Sequence, residues 1–448
     1  MRRIVFGAVA IILLSWMPGK ADALSSSLYP ALLAGLSELD KPADDTKADA
    51  NEVFIDWQLV SDSPGWRARS KAGVLVYDDK LWIMGGAVAP TEHLNDVWYT
   101  EDGVTWTEAT AAAAWPVRAG HGVTVFDGAM WVIGGYAQGG PYYADVWSST
   151  DGVNWTQATE SAAFGNRWNL QASVIGDSIY VLGGRLDGLV SDAIYRSVDG
   201  VSWTLVTDDA PWGDRELMAV TELDGNVLVT GGRGTSSSSR GRDVWGTLDG
   251  ETWSPFTANA AWSARQSHGM ATLAGEAWLL GGYTGSSRLN DAWHSVDGVQ
   301  WQRAVPAQSP WVPRGDLGVV SWQGKLWVIG GHNFIDSTNT YYGDVWSGAL
   351  MPFQRHSADI DGDGSFSLSE LLRVIQLYNS TQYGCESETE DGYAPNDIDR
   401  NCGPHSSDYA PQNWSISVSE LLRVIQFYNT GGYVPCAESE DGFCTQGN

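Results

Sequence analysis

Apolar and polar residues alternate along most of this chain with the two-residue period of half-buried strands, and Gly and Asp-Gly pairs cut the alternation into short runs. His121-Gly-Val-Thr-Val-Phe126 and Met130-Trp-Val-Ile133 are two such runs, separated by Asp127-Gly128. Asp145-Val-Trp147 and Val153-Asn-Trp155-Thr mark two more, with Ser149-Thr-Asp151-Gly152 between them. Asp-Gly is the sequence signal of a tight hairpin, so the block is expected to fold as a four-stranded antiparallel meander.

The block recurs six times, with Gly-Gly pairs at Gly85-Gly86, Gly134-Gly135, Gly183-Gly184, Gly231-Gly232, Gly281-Gly282 and Gly330-Gly331, 48 to 50 residues apart. A strand-patterned repeat of that length is a small sheet repeated radially, so the expected fold is mainly β, a six-bladed β-propeller over residues 53–350. The sixth block stops at Asp344-Val-Trp346 without a fourth strand, while a lone strand, Phe54-Ile-Asp-Trp57-Gln-Leu-Val60, precedes the first. That strand is expected to complete the sixth blade and leave no open sheet edge. Twenty of the 24 tryptophans fall at repeat positions, which marks them as packing between twisted sheets; Trp16, Trp168, Trp322 and Trp414 do not.

With Arg and His-Gly leading into the first strand, Gly-Gly ending the second and Asp-Val-Trp opening the third, the blocks resemble kelch repeats. The pattern slips at Phe164 (for Trp), Ile194-Tyr195 (for Val-Trp) and Leu228 (for Trp). The resemblance implies a kelch-type propeller of galactose oxidase-like fold serving as a ligand- or partner-binding scaffold. Copper chemistry of the oxidase kind needs a Cys-Tyr crosslink, which a cysteine-free propeller cannot make. The alternative is an enzyme of the sialate epimerase or sialidase kind acting on an anionic saccharide, with Glu216 and Asp316 as acid and base.

One arginine per blade, Arg69, Arg118, Arg167, Arg215, Arg265 and Arg314, is expected to point toward one mouth of the central channel. Residues after the Gly-Gly pairs, Tyr136, Arg185, Arg233, Tyr283 and His332, should return to the same face. The ring arginines together with Arg185, Arg233 and Trp168 are the candidate ligand-binding residues, and guanidinium groups in a concave site favour a carboxylate, sulfate or phosphate. Asp96, Asp145, Asp192, Asp243, Asp291 and Asp344 lie in the same register, so six structural ion pairs are the preferred reading of the ring itself, and Arg185, Arg233 and Trp168 are the more informative positions.

After the propeller the pattern changes to helical. Asp359-Ile-Asp361-Gly-Asp363-Gly-Ser365-Phe-Ser367-Leu-Ser-Glu370 places oxygen ligands and a glycine at the spacing of a calcium loop, with Asp359, Asp361, Asp363, Ser365, Ser367 and Glu370 as ligands of Ca2+. A helix is expected over residues 371–379, and the unit recurs at Glu420-Leu-Leu-Arg-Val-Ile-Gln-Phe-Tyr428-Asn. The second loop is longer, and Asp408, Asn413, Ser417 and Glu420 either bind calcium or form a metal-free copy. Residues 351–448 are therefore expected to be a small α-helical domain of duplicated loop-helix units, and they resemble a dockerin-like or EF-hand module. The resemblance implies docking to a scaffold or surface receptor.

All four cysteines, Cys385, Cys402, Cys436 and Cys444, lie in this module. An even count in one small exported domain implies disulfides, with Cys385–Cys402 and Cys436–Cys444 preferred among three connectivities. Export is expected from the start of the chain: Met1-Arg-Arg followed by an apolar run and Ala21-Asp22-Ala23 reads as a signal peptide over 1–23, with 24–52 a linker. The mature protein is then secreted or held at the cell surface without a membrane span. A net charge of −28 argues against nucleic acid as a partner and leaves a protein or an anionic saccharide at the propeller face.

Overall fold

Alternation becomes antiparallel pairing in every block. In the second, Gly122–Phe126 pairs with Ala129–Ile133, then Val146–Ser149, then Thr156–Thr159. The computed structural model describes residues 53–448 apart from 237–238, 305–307, 336–337, 353–358, 360–365, 381, 386–392, 397–404, 408–414, 431, 436–442 and 446–448. It contains six such four-stranded sheets. Their first strands adjoin in cyclic order, and the first strand of the sixth sheet (Gly318–Trp322) meets that of the first (Gly73–Tyr77). Glycine makes that closure possible: a Cβ on Gly318 would come within 2.4 Å of Val74.

The sixth sheet takes its outer strand from the N-terminal side of the ring. Val53–Ser61 pairs antiparallel with Val345–Pro352, with Trp57 opposite Gly348. Its apolar side chains then join the layer between the fifth and sixth sheets, where Ile55 and Trp57 pack with Trp278, Trp311 and Leu326. Every sheet holds one edge-to-face aromatic pair between the loop leading into it and a tryptophan in, or just before, its outer strand. Trp115–Trp155 (5.8 Å, 89°) is one, and Trp57–Trp311 (6.1 Å, 81°) repeats it across the two ends of the ring. In the third sheet Phe164 fills the place of the missing tryptophan against Trp203.

One local expectation is corrected. Asp127-Gly128 makes the tight two-residue turn, but Asp151-Gly152 does not; strands three and four are joined by residues 150–155. Ser149 Oγ accepts from Gly152 N–H at 2.9 Å, and Asp151 Oδ1 accepts from Val153 N–H (2.9 Å) and Asn154 N–H (2.8 Å). Side-chain oxygens thus satisfy the backbone that a wider loop takes off the ladder. The width lets the Trp155 ring turn inward, its Nε1 donating to Gly152 O at 3.0 Å. The loops at Asp102, Asp199, Asp249 and Asp297 are built alike.

In the C-terminal segment, helix α1 (Leu368–Asn379) and helix α2 (Val418–Thr430) are each followed by a two-stranded hairpin. The first helix starts three residues earlier than its apolar run implied, because Ser367 and Glu370 form a capping box: Ser367 Oγ accepts from Glu370 N–H and Glu370 Oε2 accepts from Ser367 N–H at 2.7 Å. Ser417 and Glu420 repeat both bonds. One core joins the copies, with Leu371, Val374, Leu377 and Tyr383 packed against Leu421, Val424, Phe427 and Tyr433. The duplication is therefore physical as well as sequential: the apolar faces of both helices are buried in one shared core.

Candidate functional site

The Arg and Gly-Gly positions of the repeat turn out to be stitching. Each ring arginine donates to the carbonyl of the first glycine of its own pair at 2.8–3.0 Å. The second glycine's N–H donates to the carbonyl of the next repeat's arginine at 2.8–2.9 Å, and Gly331 returns the bond to Arg69. Both glycines have positive φ, 59° and 101° at Gly85 and Gly86, and a Cβ on Gly86 would sit 2.9 Å from Ser70 O.

This placement corrects the expectation that the ring arginines face the channel mouth. Arg69, Arg118, Arg265 and Arg314 side chains are wholly buried, and these four and Arg215 make two-pronged ion pairs with Asp96, Asp145, Asp291, Asp344 and Asp243 respectively. Arg118, for example, reaches Asp145 Oδ1 and Oδ2 at 2.7 and 2.8 Å. A guanidinium whose fork is filled by a carboxylate and a carbonyl has no free donor edge for a ligand. Arg167 differs: it is buried, donates to Gly183 O and Phe164 O, and has no ion-pair partner among the described residues. Burial alone pushes its pKa down, and burial likewise pushes Asp192 up.

The next two positions after each arginine form the site. The first pairs as an antiparallel bridge with the residue following the Gly-Gly pair: Ser70 with Ala87, Ala119 with Tyr136, Trp168 with Arg185, Glu216 with Arg233, Gln266 with Tyr283 and Gly315 with His332. The second, Lys71, Gly120, Asn169, Leu217, Ser267 and Asp316, forms a closed ring of six backbone hydrogen bonds, each N–H donating to the neighbouring repeat's carbonyl at 2.7–3.2 Å. All six have φ between 52° and 59°. Five of them are not glycine, so strained backbone is concentrated at the axis. Sequence reading missed this annulus, although one signal was there: the position differs in every repeat, two residues after an arginine that does not change.

Above the annulus opens a cavity of about 670 Å3. Tyr136, Arg233, Tyr283 and His332 line it as expected, with Lys71, Asn169 and Asp316 below and Trp168, Tyr142 and Arg288 on the walls. Trp168 stacks on Tyr142 (5.8 Å, 9°), and Lys71 Nζ lies 5.7 and 5.9 Å from the ring centres of Tyr136 and Trp168. Arg288 sits 3.9 Å over Tyr283 and donates to His332 Nε2 at 3.1 Å, which leaves the His332 proton on Nδ1, 3.2 Å from Asp316 Oδ2.

Glu216 is fully buried beneath Arg185 and Arg233 and accepts from Asn169 Nδ2 at 2.8 Å. Burial opposes its charge, but hydrogen bonds from Arg185, Asn169 and Arg233 outweigh it and hold the carboxyl below its ordinary value. At Asp316 burial is again the largest effect, yet Lys71 and His332 keep it well below the carboxylate range. Lys71 is raised in turn, because Asp316, Tyr136 and Glu216 overcome its burial. Both carboxylates are thereby held toward their charged form. His121 and His268, one register away, are buried neutral side chains whose pKa burial depresses to about 3.

Residues 169–354 match the KLHDC2/KLHL20/DRC7 kelch-repeats domain, so a comparison independent of the geometry finds kelch repeats in sheets three to six. No curated protein matches the chain at significant similarity. The chain is thus mainly β with a kelch-repeat domain, the kind of fold that generally serves as a protein-interaction scaffold.

In the C-terminal segment Asp359, Glu370 and Glu420 are buried, and Tyr433 Oη donates to Asp359 Oδ2 at 2.7 Å. Ser367 and Ser417 cap their helices. Asp361, Asp363, Ser365, Asp408 and Asn413 lie outside the described residues, as do Cys402, Cys436, residues 1–23 and the linker 24–52.

Proposed function

We propose that the ring is a six-bladed kelch propeller acting as an exported binding scaffold, and that the cavity above the annulus receives an anionic group of its partner. One observation carries this: in a chain of net charge −28, the cavity gathers Lys71, Arg233 and Arg288, with Arg185 behind them, against Asp316 and Glu216. A cationic concavity on an acidic protein focuses its field on one opening and discriminates among anions by geometry. The test is retention of the full-length chain on immobilised polyglutamate and polygalacturonate beside neutral dextran. Retention by a polyanion, weakened by salt and lost in Lys71→Met, is expected; passage through both polyanion columns at low salt would overturn the reading.

The C-terminal segment is proposed as a calcium-stabilised attachment module. Its residues suit a hard cation: Asp359 and Glu370 are carboxylates withdrawn from water in a small core. With Asp361, Asp363, Ser365 and Ser367 they would hold Ca2+, which would tie the loop to helix α1. Disulfides are proposed beside it, and no described cysteine is free. Export through residues 1–23 would supply the oxidising compartment those bonds require. Calcium is expected to raise the unfolding temperature of the intact chain in non-reducing buffer, and Glu370→Ala to abolish the increment; an unchanged increment would remove the site.

A further inference from the structure

Resting on the calcium reading above, we propose that Tyr433 is the positioning residue of the first calcium loop, so that the site is completed across the duplication and not within one copy. Tyr433 lies in the strand after helix α2, yet its Oη donates to Asp359 Oδ2 at 2.7 Å, 74 residues away in the first copy. Both residues are wholly buried. The Tyr433 ring grips the same loop a second time, stacked on Phe366 at 5.2 Å and 22°. Asp359 and Phe366 stand at positions 1 and 8 of the loop, and Glu370 at position 12 is held by its capping box with Ser367. One end of the loop is therefore fixed by the second copy and the other by helix α1 of the first.

Carboxylate ligands hold a metal well when a partner outside the coordination sphere fixes their orientation. Tyrosine suits that place. Its hydroxyl gives one neutral hydrogen bond, and a carboxylate accepts about four, so the bond orients Asp359 without exhausting its capacity or cancelling its charge. A lysine or arginine there would compete with the cation instead. Phe427 and Phe443 hold the Tyr433 ring in turn, with Phe443 edge-on at 5.1 Å and 89°, so the hydroxyl is aimed by the core that joins the two copies. The first copy supplies a matched comparison. Tyr383 stands 50 residues before Tyr433, after helix α1, and its Oη reaches across to the second copy, where it accepts from the His405 backbone N–H at 2.8 Å.

The experiment is calorimetric titration of calcium into the full-length chain in non-reducing buffer, with Tyr433→Phe, Tyr383→Phe and Glu370→Ala as variants whose unfolding temperatures in chelator are checked first. Glu370→Ala identifies the first-loop site as the one it loses. At that site Tyr433→Phe is expected to bind about tenfold more weakly than the parent, and Tyr383→Phe within about twofold of it. Calcium should also shift the tyrosine absorption band of the parent and of Tyr383→Phe, because a metal on Asp359 weakens it as an acceptor; the shift should be absent from Glu370→Ala. First-loop affinity unchanged in a folded Tyr433→Phe protein, or equally weakened in both tyrosine variants, would overturn the positioning role, as would an unshifted band in the parent at saturating calcium. Calcium that fails to bind the parent would overturn the calcium reading itself.

Discussion

Trp57→Ala tests whether the strand from the far end of the ring carries the same structural weight as the outer strands of the other sheets. Trp57 is 9% exposed and Trp106, its counterpart in the first sheet, 8%. Each packs edge-to-face on the tryptophan of its leading loop, at 6.1 Å against Trp311 and 5.7 Å against Trp66. Removing a buried tryptophan costs about 3–5 kcal/mol, which includes roughly 1 kcal/mol from the aromatic pair. The two variants should therefore lose nearly equal stability. Chain connectivity favours Trp106, because its strand is tethered on both sides within the ring whereas Val53–Ser61 is tethered on one.

Urea unfolding followed by far-ultraviolet circular dichroism would give both values. A drop of about 3–5 kcal/mol in each is expected, with unchanged denaturant slope. Gly348→Ala should act in the same direction without touching an aromatic ring, since its Cβ would come within 2.6 Å of Ile55 and 3.0 Å of Trp57. A loss below about 1 kcal/mol for Trp57→Ala beside a full loss for Trp106→Ala would refute the closure, because the outer strand would then be ornamental.

The ring arginines separate by partner. Arg118→Met strands Asp145 in the interior and should cost about 3–5 kcal/mol; Arg167→Met, which leaves only carbonyls unanswered, should cost about 1–3 kcal/mol. Equal losses in urea unfolding would mean that the carboxylates contribute nothing. The neutral histidines set a pH dependence: unfolded imidazoles protonate below about 6.5, whereas His121 and His268 resist protonation until about 3. Their folded values are depressed, so this stability is complete above pH 6.5 and is lost as pH falls toward 3, by up to about 1.4 kcal/mol per pH unit for each histidine. His121→Leu should flatten the profile by that amount between pH 6 and 4, and a profile parallel to the parent's would exclude the mechanism.

Periodicity carried the fold a long way. Alternating runs between Gly-Gly pairs placed the strands of all six sheets, and the unpaired strand at Trp57 identified its own partner by being the piece the sixth block lacked. The ring arginines were legible as a set, together with the aspartates that turn out to fill five of them. Misplacing them at the mouth had a simple cause, since spacing gives the side of the sheet a residue occupies but not whether its fork is already satisfied. The loop at Asp151 was misread because Asp-Gly signals a turn without fixing its width, which the inward Trp155 sets.

By itself the sequence determined what local pattern can determine: the period-two strands of the six four-stranded sheets, the breaks between them and the change to helical pattern after residue 350. Only the tertiary structure brought Lys71, Asn169 and Asp316, 98 to 245 residues apart, into one annulus. Their closeness depends on six sheets meeting about a common axis, where backbone hydrogen bonds from one repeat to the next force positive φ on whatever residue stands there. A pattern repeated along the chain predicts the ring, whereas the chemistry at its centre comes from the residues that do not repeat, and these meet only when the ring closes.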